Sequence, residues 1–266
     1  MRVRALLITV IVSILAFGAA AVGVDFGTAI YAEYRLSRAL RAQAGLQWDP
    51  WVGILGFPFI PQAVNRVYDE VEIKAYSVER PIVGKASLEA TMHDVDLRQS
   101  SWLVRPDAAL PITKLESRII IDSTHLGRFM GIDDLSVEAP QKETNDSTGG
   151  TTESGISSSE GLVFTGTPKS AGIDRRVSVS VDLSMAGPDQ TTLVFTARDI
   201  VTGPGTADQS VPEDKLSAVL AAFSKSLPGQ KLPFGLSPTS KGARGSDVII
   251  EGIAEGVTVH LDAFTQ

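Results

Sequence analysis

From about residue 70 onward the chain is written in alternation. Val71, Ile73 and Ala75 are separated by Glu72 and Lys74, the period of two that turns one side of a strand to a core and the other to water. Ala86, Leu88, Ala90 and Met92 keep even positions, then Val95 and Leu97 take odd ones. A strand cannot change phase without an extra residue or a kink, so a bulge or bend is expected near His93 and Asp94. Leu115, Ile119 and Ile121 alternate again. "DSTHLGRFMGI" then predicts a short helix with Ser123 as N-cap and Leu126, Phe129 and Met130 inward. "DLSVEAP" resumes a strand. Val177, Val179, Val181, Leu183 and Met185 form the longest alternating run, and "GPD" turns it into "QTTLVFTARDIV", a hairpin. In "SVPEDKLSAVLAAFSKSLPG" the period becomes helical. Leu216, Val219, Leu220, Phe223 and Leu227 share a face, Ser210 and Glu213 stand at capping-box spacing, and Gly229 is placed to end the helix. A last strand pair surrounds "KGARG". Hairpins with few helices predict an α+β fold.

The first 70 residues obey other rules. Arg2 and Arg4 precede an uncharged apolar run from Ala5 to Val24 that ends in "GAAAVG". About 20 such residues make an export signal or span a bilayer, and the arginines hold the N-terminus on the cytoplasmic side. A cleaved leader and an uncleaved anchor fit the run equally. From Asp25 to Leu46, Ile30, Tyr34, Leu36 and Leu40 suggest a helix with Arg35, Arg38 and Arg41 on its polar side, stopped by Gly45. Next comes "WDPWVGILGFPFIPQAV". Pro58 and Pro61 remove backbone donors and push the residues before them into extended conformations. Gly56–Val64 is therefore expected as a rigid, non-helical junction. Gln141–Gly161, rich in Ser, Thr, Gly and Glu, reads as a flexible insertion between strands of a single domain spanning residues 25–266. Asn145 starts a glycosylation sequon within it.

Composition removes several function classes. The net charge of −7 lacks the basic face that nucleic acid requires. The chain has no cysteine, which excludes disulfides, thiolate metal sites, a cysteine nucleophile and a lipidated N-terminal cysteine. His93, His125 and His260 lie far apart in sequence and form no local metal pair. Neither a nucleophile elbow nor a phosphate or dinucleotide loop is present, so no cofactor is expected. The one cluster with catalytic chemistry is His93 with Asp94 or Asp96, the basis of a hydrolase alternative. A further alternative is a scaffolding protein with a fully packed core.

What remains is apolar surface in unusual places: long amphipathic strands, an amphipathic helix, and the Pro-Phe pairs at Pro58-Phe59 and Pro233-Phe234. A sheet curled on a helix leaves a cleft suited to acyl chains, at about 0.8 kcal/mol per buried methylene. "PWVGILGFPFIPQAVNRVYDEVEIKAYSVE" resembles the opening of the LmeA-like family of actinobacterial envelope proteins. Gly56, Pro58, Phe59 and Gln62 match its G-x-P-F-x-x-Q element, and "LPFGLSPTSKGARGSDVIIEGIAEGV" is similar to its closing pattern. Pro61 and the long Ser/Thr-rich insertion depart from it. The resemblance implies an exported, cell-envelope phospholipid-binding protein that supports mannan elongation in lipomannan and lipoarabinomannan maturation, alongside glycan-synthesis enzymes. It also implies a long curved antiparallel sheet wrapped around one or two amphipathic helices, as in tubular lipid-binding folds. On that reading Phe57, Phe59, Leu216, Val219, Leu220 and Phe223 form an apolar wall. Arg35, Arg38 and Arg41 contact head groups or the membrane surface, and the lipid is a phospholipid, phosphatidylinositol-based among the possibilities.

Overall fold

The structure, a computed structural model, describes residues 2–139 and 161–265. Apart from Gly161, the expected insertion Gln141–Gly161 lies outside the described residues. The strands on either side of it pair with each other: in β5 (Ser136–Glu138) and β6 (Leu162–Gly166), Val137 faces Phe164.

One helix, α1 (Arg2–Ala44), runs unbroken through the apolar run and the segment after it. The side chains from Leu6 to Val24 are all exposed. After Asp25 the helix enters the protein and buries Ala32, Leu36, Leu40 and Ala44 at every fourth residue, a narrow stripe. Ile30 and Tyr34, expected on that stripe, are exposed instead. The buried side is the one whose alanines admit close neighbours: α1 packs on β1 (Trp51–Leu55), on α2 (Phe59–Asn65) and on a C-terminal 3-10 turn, Leu261–Thr265. Gly45, at φ 65°, ends the helix as expected.

Among the described residues the strands are antiparallel and lie in two open sheets rather than one. The first has the order β1, β2 (Val67–Arg80), β3 (Gly84–Asp96), β4 (Leu110–Ile121), β11 (Asp247–Val259), β10 (Ser240–Arg244). The second has the order β5, β6, β7 (Val177–Ala186), β8 (Thr192–Val201), β9 (Lys225–Leu227). One contiguous apolar core draws on both, from Ile73, Leu88, Leu115 and Ile250 in the first to Phe164, Val179 and Phe195 in the second. The phase change in β3 is a bend. Asp94 takes a left-handed φ of 51°, and pairing with β4 stops at His93–Lys114, so that Met92 and Val95 are both buried. A second irregularity, with Ser77 at φ 55°, falls between Ala75 and Val78 of β2.

Two helix boundaries differ from the sequence reading. Helix α3 (Ser123–Met130) is capped by Asp122, whose carboxylate accepts from the His125 N–H at 2.8 Å, and Ser123 is the first helical residue. Burial pushes the Asp122 carboxyl up, but the hydrogen bonds and charge of His125 outweigh it and hold it below the usual carboxylate range. Helix α4 (Glu213–Phe223) starts after Pro212 with no side-chain cap, so the Ser210 capping box does not form. It also stops short of Gly229, because Lys225–Leu227 pair with Phe195–Leu193 of β8. Strand pairing overrides the helical period there, although Leu227 is buried as expected.

Candidate functional site

A ladder of hydrogen bonds fixes the chain between α1 and β2. Arg41 meets Asp49 at 3.3 Å, the Ser37 hydroxyl donates to the Pro50 carbonyl at 2.7 Å, and the Ile54 N–H donates to Glu33 at 2.9 Å. At the lower end both oxygens of Asp25 accept from backbone, from the Phe59 N–H at 2.8 Å and the Ile60 N–H at 2.7 Å. Residues 49–60 therefore descend antiparallel to α1, from its C-terminal turn to the residue where its apolar run ends.

At the bottom the chain makes an elbow, and it is helical. Helix α2 occupies Phe59–Asn65, where a non-helical junction is expected from the prolines. Pro58 stands at the N-cap and Pro61 in the first turn, where the missing N–H has no intrahelical acceptor to lose. Asp25 supplies the cap that neither proline can make. The four residues of the G-x-P-F-x-x-Q element each build this elbow. Gly56 turns at φ 98°, and a Cβ there would stand 2.6 Å from the Gln62 side chain. Gln62 donates to the Leu55 and Gly56 carbonyls and accepts from the Asp69 N–H at 3.0 Å, tying the end of β1 to the start of β2. Pro58 follows a cis peptide bond. Phe59 is buried and stacks on Tyr68 at 5.8 Å between centroids, whereas Phe57 is exposed and stacks on Phe26 of α1 at 5.7 Å.

Above the elbow, the β3–β4 connection (residues 97–109) folds against α1. The Tyr68 hydroxyl donates to the Trp102 carbonyl, and Arg66 donates to the Ser100 carbonyl at 3.2 Å. Burial raises the Tyr68 phenol to about 12. The Arg98 side chain clasps Asp96, holding that carboxyl down at about 2. Between this connection and α1 lies a groove of about 640 Å³, lined by Ala39, Leu103, Val104 and Pro106 with Arg35, Arg38 and Arg105 around them. Arg35 and Arg38 each reach back one helical turn to a tyrosine hydroxyl, Tyr31 and Tyr34, with the guanidinium over the ring. Arg105 pairs with Asp107 at 3.3 Å. An apolar floor with several guanidinium groups at its edge is suited to an amphiphile with an anionic head.

The family model described as LmeA-like phospholipid-binding matches residues 23–253. The chain belongs to this family. No curated protein and no solved structure gives a significant match. The LmeA-like match begins two residues before Asp25, so the ladder, the elbow and the groove all fall inside it.

Within the LmeA-like region the expected site residues lie in three separate places. Arg35 and Arg38 meet in the groove, while Arg41 is engaged with Asp49. Phe57 and Phe59 belong to the elbow. Val219 and Phe223 are fully buried against the second sheet, Leu220 is half-buried, and Leu216 is exposed at 39%. His93 stands 3.8 Å from Glu70 and 3.6 Å from Glu116, whereas Asp96 is taken by Arg98 and Asp94 is exposed. Burial pushes the Glu116 carboxyl up, but Lys114, Arg118 and His93 together lower it. No cluster of His, Asp and Glu among the described residues is arranged to hold a metal. Sequence reasoning missed Asp25, Tyr68 and the groove floor. "WLV" at Trp102–Val104, an apolar triplet too short to be a strand and followed by Arg-Pro, was the available signal.

Proposed function

We propose that this protein is an exported phospholipid-binding protein of the cell envelope, held at the membrane by α1, and that its lipid occupies the groove between α1 and the β3–β4 connection. The observation that carries the reading is that groove, with Arg35 and Arg38 at its edge and Leu103 and Val104 on its floor, in a chain of a phospholipid-binding family. From Leu6 to Val24 its α1 is apolar and exposed, and the helix is long enough to cross a bilayer. Arg35 stands 11 residues beyond Val24, roughly 16 Å along the helix axis. That height is above the head-group layer of an upright anchor, so the groove receives a lipid lifted from the leaflet, or one with an extended head. A phosphatidylinositol-based lipid meets that requirement, and its delivery to glycan-synthesis enzymes during mannan elongation is the role we assign. The protein acts by binding and carries no catalysis of its own.

Native mass spectrometry of the full chain released from micelles, incubated with phosphatidylinositol or phosphatidylcholine, tests this. We expect retained phosphatidylinositol, reduced at least tenfold in the Arg35→Ala, Arg38→Ala double variant. Equal retention of both lipids by both proteins would remove the groove from the reading. Loss of the protein from its host should shorten lipomannan chains; unchanged chains would remove the mannan role and leave lipid binding standing. A scaffolding role is the second reading, favoured by the complete burial of Val219 and Phe223. It predicts that no lipid is retained at all.

A further inference from the structure

The elbow leaves a set of large apolar side chains in water. Phe26 is 55% exposed, Phe57 63%, Ile60 37% and Val64 74%. Ile60 and Val64 are one turn apart on α2, and Phe57 stacks on Phe26, so the four form a collar beside α1 rather than a scatter. The core does not need them: the same short helix buries Phe59 and Gln62 on its other side. Their height is fixed by Asp25. This residue follows directly on the last apolar residue of the run, Val24, and holds the first turn of α2 by two short hydrogen bonds. Phe26 is two residues past Val24, about 3 Å along the axis. Phe26, Phe57 and Ile60 therefore lie level with the end of the stretch that α1 offers to a bilayer, and Val64 follows one turn along α2.

We propose that Phe26, Phe57, Ile60 and Val64 insert into the outer boundary of the leaflet that α1 crosses, so that the domain docks on the membrane at a fixed angle instead of swinging on a tether. The occupant is lipid, because the collar is continuous with the exposed apolar surface of α1 from Leu6 to Val24. Tyr31 and Tyr34, both exposed, follow on the same helix about 7–12 Å above Phe26. With the collar seated, the groove opens at a constant height above the head groups. The proposal rests on α1 remaining in the membrane, and the test separates the two.

The native chain has no cysteine, so single labels can be placed without background. Nitroxide labels at Ile14→Cys, Ile60→Cys, Val64→Cys and Ile82→Cys are compared in the full chain reconstituted into phosphatidylglycerol–phosphatidylcholine vesicles. Ile82, 58% exposed at the β2–β3 turn, is the water reference. We expect labels at 14, 60 and 64 to be relaxed more by oxygen than by a water-soluble nickel chelate, and the label at 82 to show the reverse. Labels at 60 and 64 that match 82 while 14 reports lipid would overturn the docking and leave the anchor. A label at 14 that also reports water would overturn both.

Discussion

Asp25 is the residue on which the lower half of the molecule hangs, and its removal has a calculable cost. It is 5% exposed and accepts two backbone N–H groups of α2, at 2.8 and 2.7 Å. Asp25→Ala leaves both donors without an acceptor at a helix whose own N-cap, Pro58, has no side-chain bond to offer. Loss of a cap costs about 0.5–2 kcal/mol, and hydrogen bonds to a charged acceptor are worth about 1.5–3 kcal/mol each. The two bonds share one carboxylate and one helix terminus, so about 3 kcal/mol is expected, not their full sum. For a chain of this size that lowers Tm by roughly 6–10 °C. Asp25→Asn keeps one acceptor oxygen and should lose about half as much. Thermal unfolding of the full chain in detergent micelles, followed by near-ultraviolet circular dichroism, gives the magnitude. Hydrogen exchange across residues 56–65 gives the location, since the amides of Phe59 and Ile60 should lose protection first. If Asp25→Ala melts with the parent and those amides exchange at the parental rate, the cap is not what holds α2 to α1.

Three other perturbations test the first sheet, the β3–β4 connection and the elbow. Arg118 is nearly buried between Glu251, at 2.6 Å, and Glu116. Arg118→Met strands a buried carboxylate and should destabilise by about 3–5 kcal/mol in urea titration, while adding Glu251→Leu should recover most of it; equal loss in both variants would show that packing, not charge, is at stake. Tyr68→Phe removes the bond to the Trp102 carbonyl and should cost about 1 kcal/mol with increased exchange in residues 97–109. The parent should also lose on the order of 2 kcal/mol between pH 10 and pH 12: a phenol raised to about 12 in the fold binds its proton where the unfolded chain has already released it. That part of the loss should vanish in Tyr68→Phe. Gly56→Ala combines a left-handed φ of 98° with a Cβ 2.6 Å from the Gln62 amide, and should cost about 1–3 kcal/mol; a neutral effect on the urea midpoint would mean the elbow can relax.

The strand grammar was legible where a strand buries one side more deeply than the other, as β2 does, because a period of two survives any tertiary arrangement. It fades where the first sheet is buried on both faces, at Leu88–Met92, Ser117–Ile121 and Val248–Gly252. Val71, Ile73, Leu88, Leu115 and Val179 are buried as their alternation requires. Helix ends were less legible. Ser210 and Glu213 have capping-box spacing, yet Pro212 takes the N-cap position of α4, and β8 takes Lys225–Leu227 from its end. Those outcomes depend on partners remote in sequence. The same holds at the elbow. Pro58 and Pro61 speak against a helix locally, and the acceptor that rescues it, Asp25, is 34 residues away from Phe59. The division of the strands into two sheets leaves no mark on the alternation at all. As for the groove, Arg35 and Arg38 were visible as a cationic helix side, but the loop that faces them was not, since "WLVRP" has no period to read.

The position of the acyl chains follows from what each surface gains. Beside α4, Val219 and Phe223 are already removed from water by the second sheet. An acyl chain placed there must displace one of them, and opening such a site costs about 3–5 kcal/mol for a phenylalanine, against about 0.8 kcal/mol regained per methylene. Roughly the first four to six methylenes only restore what was lost. In the groove, Leu103 and Val104 are half-buried and the volume is open, so every methylene covered there removes new apolar surface on both partners. We therefore expect the interior residues to govern stability and the groove residues to govern binding. Phe223→Ala should lower the urea midpoint by an amount corresponding to about 3–5 kcal/mol and leave the phosphatidylinositol retained per folded molecule unchanged. Leu103→Ser with Val104→Ser should cost less, about 2 kcal/mol because both are only half-buried against the core, and should abolish retention. If lipid is lost with Phe223 and kept without Leu103 and Val104, the chains enter the sheet–helix interior, and α4 must move to admit them.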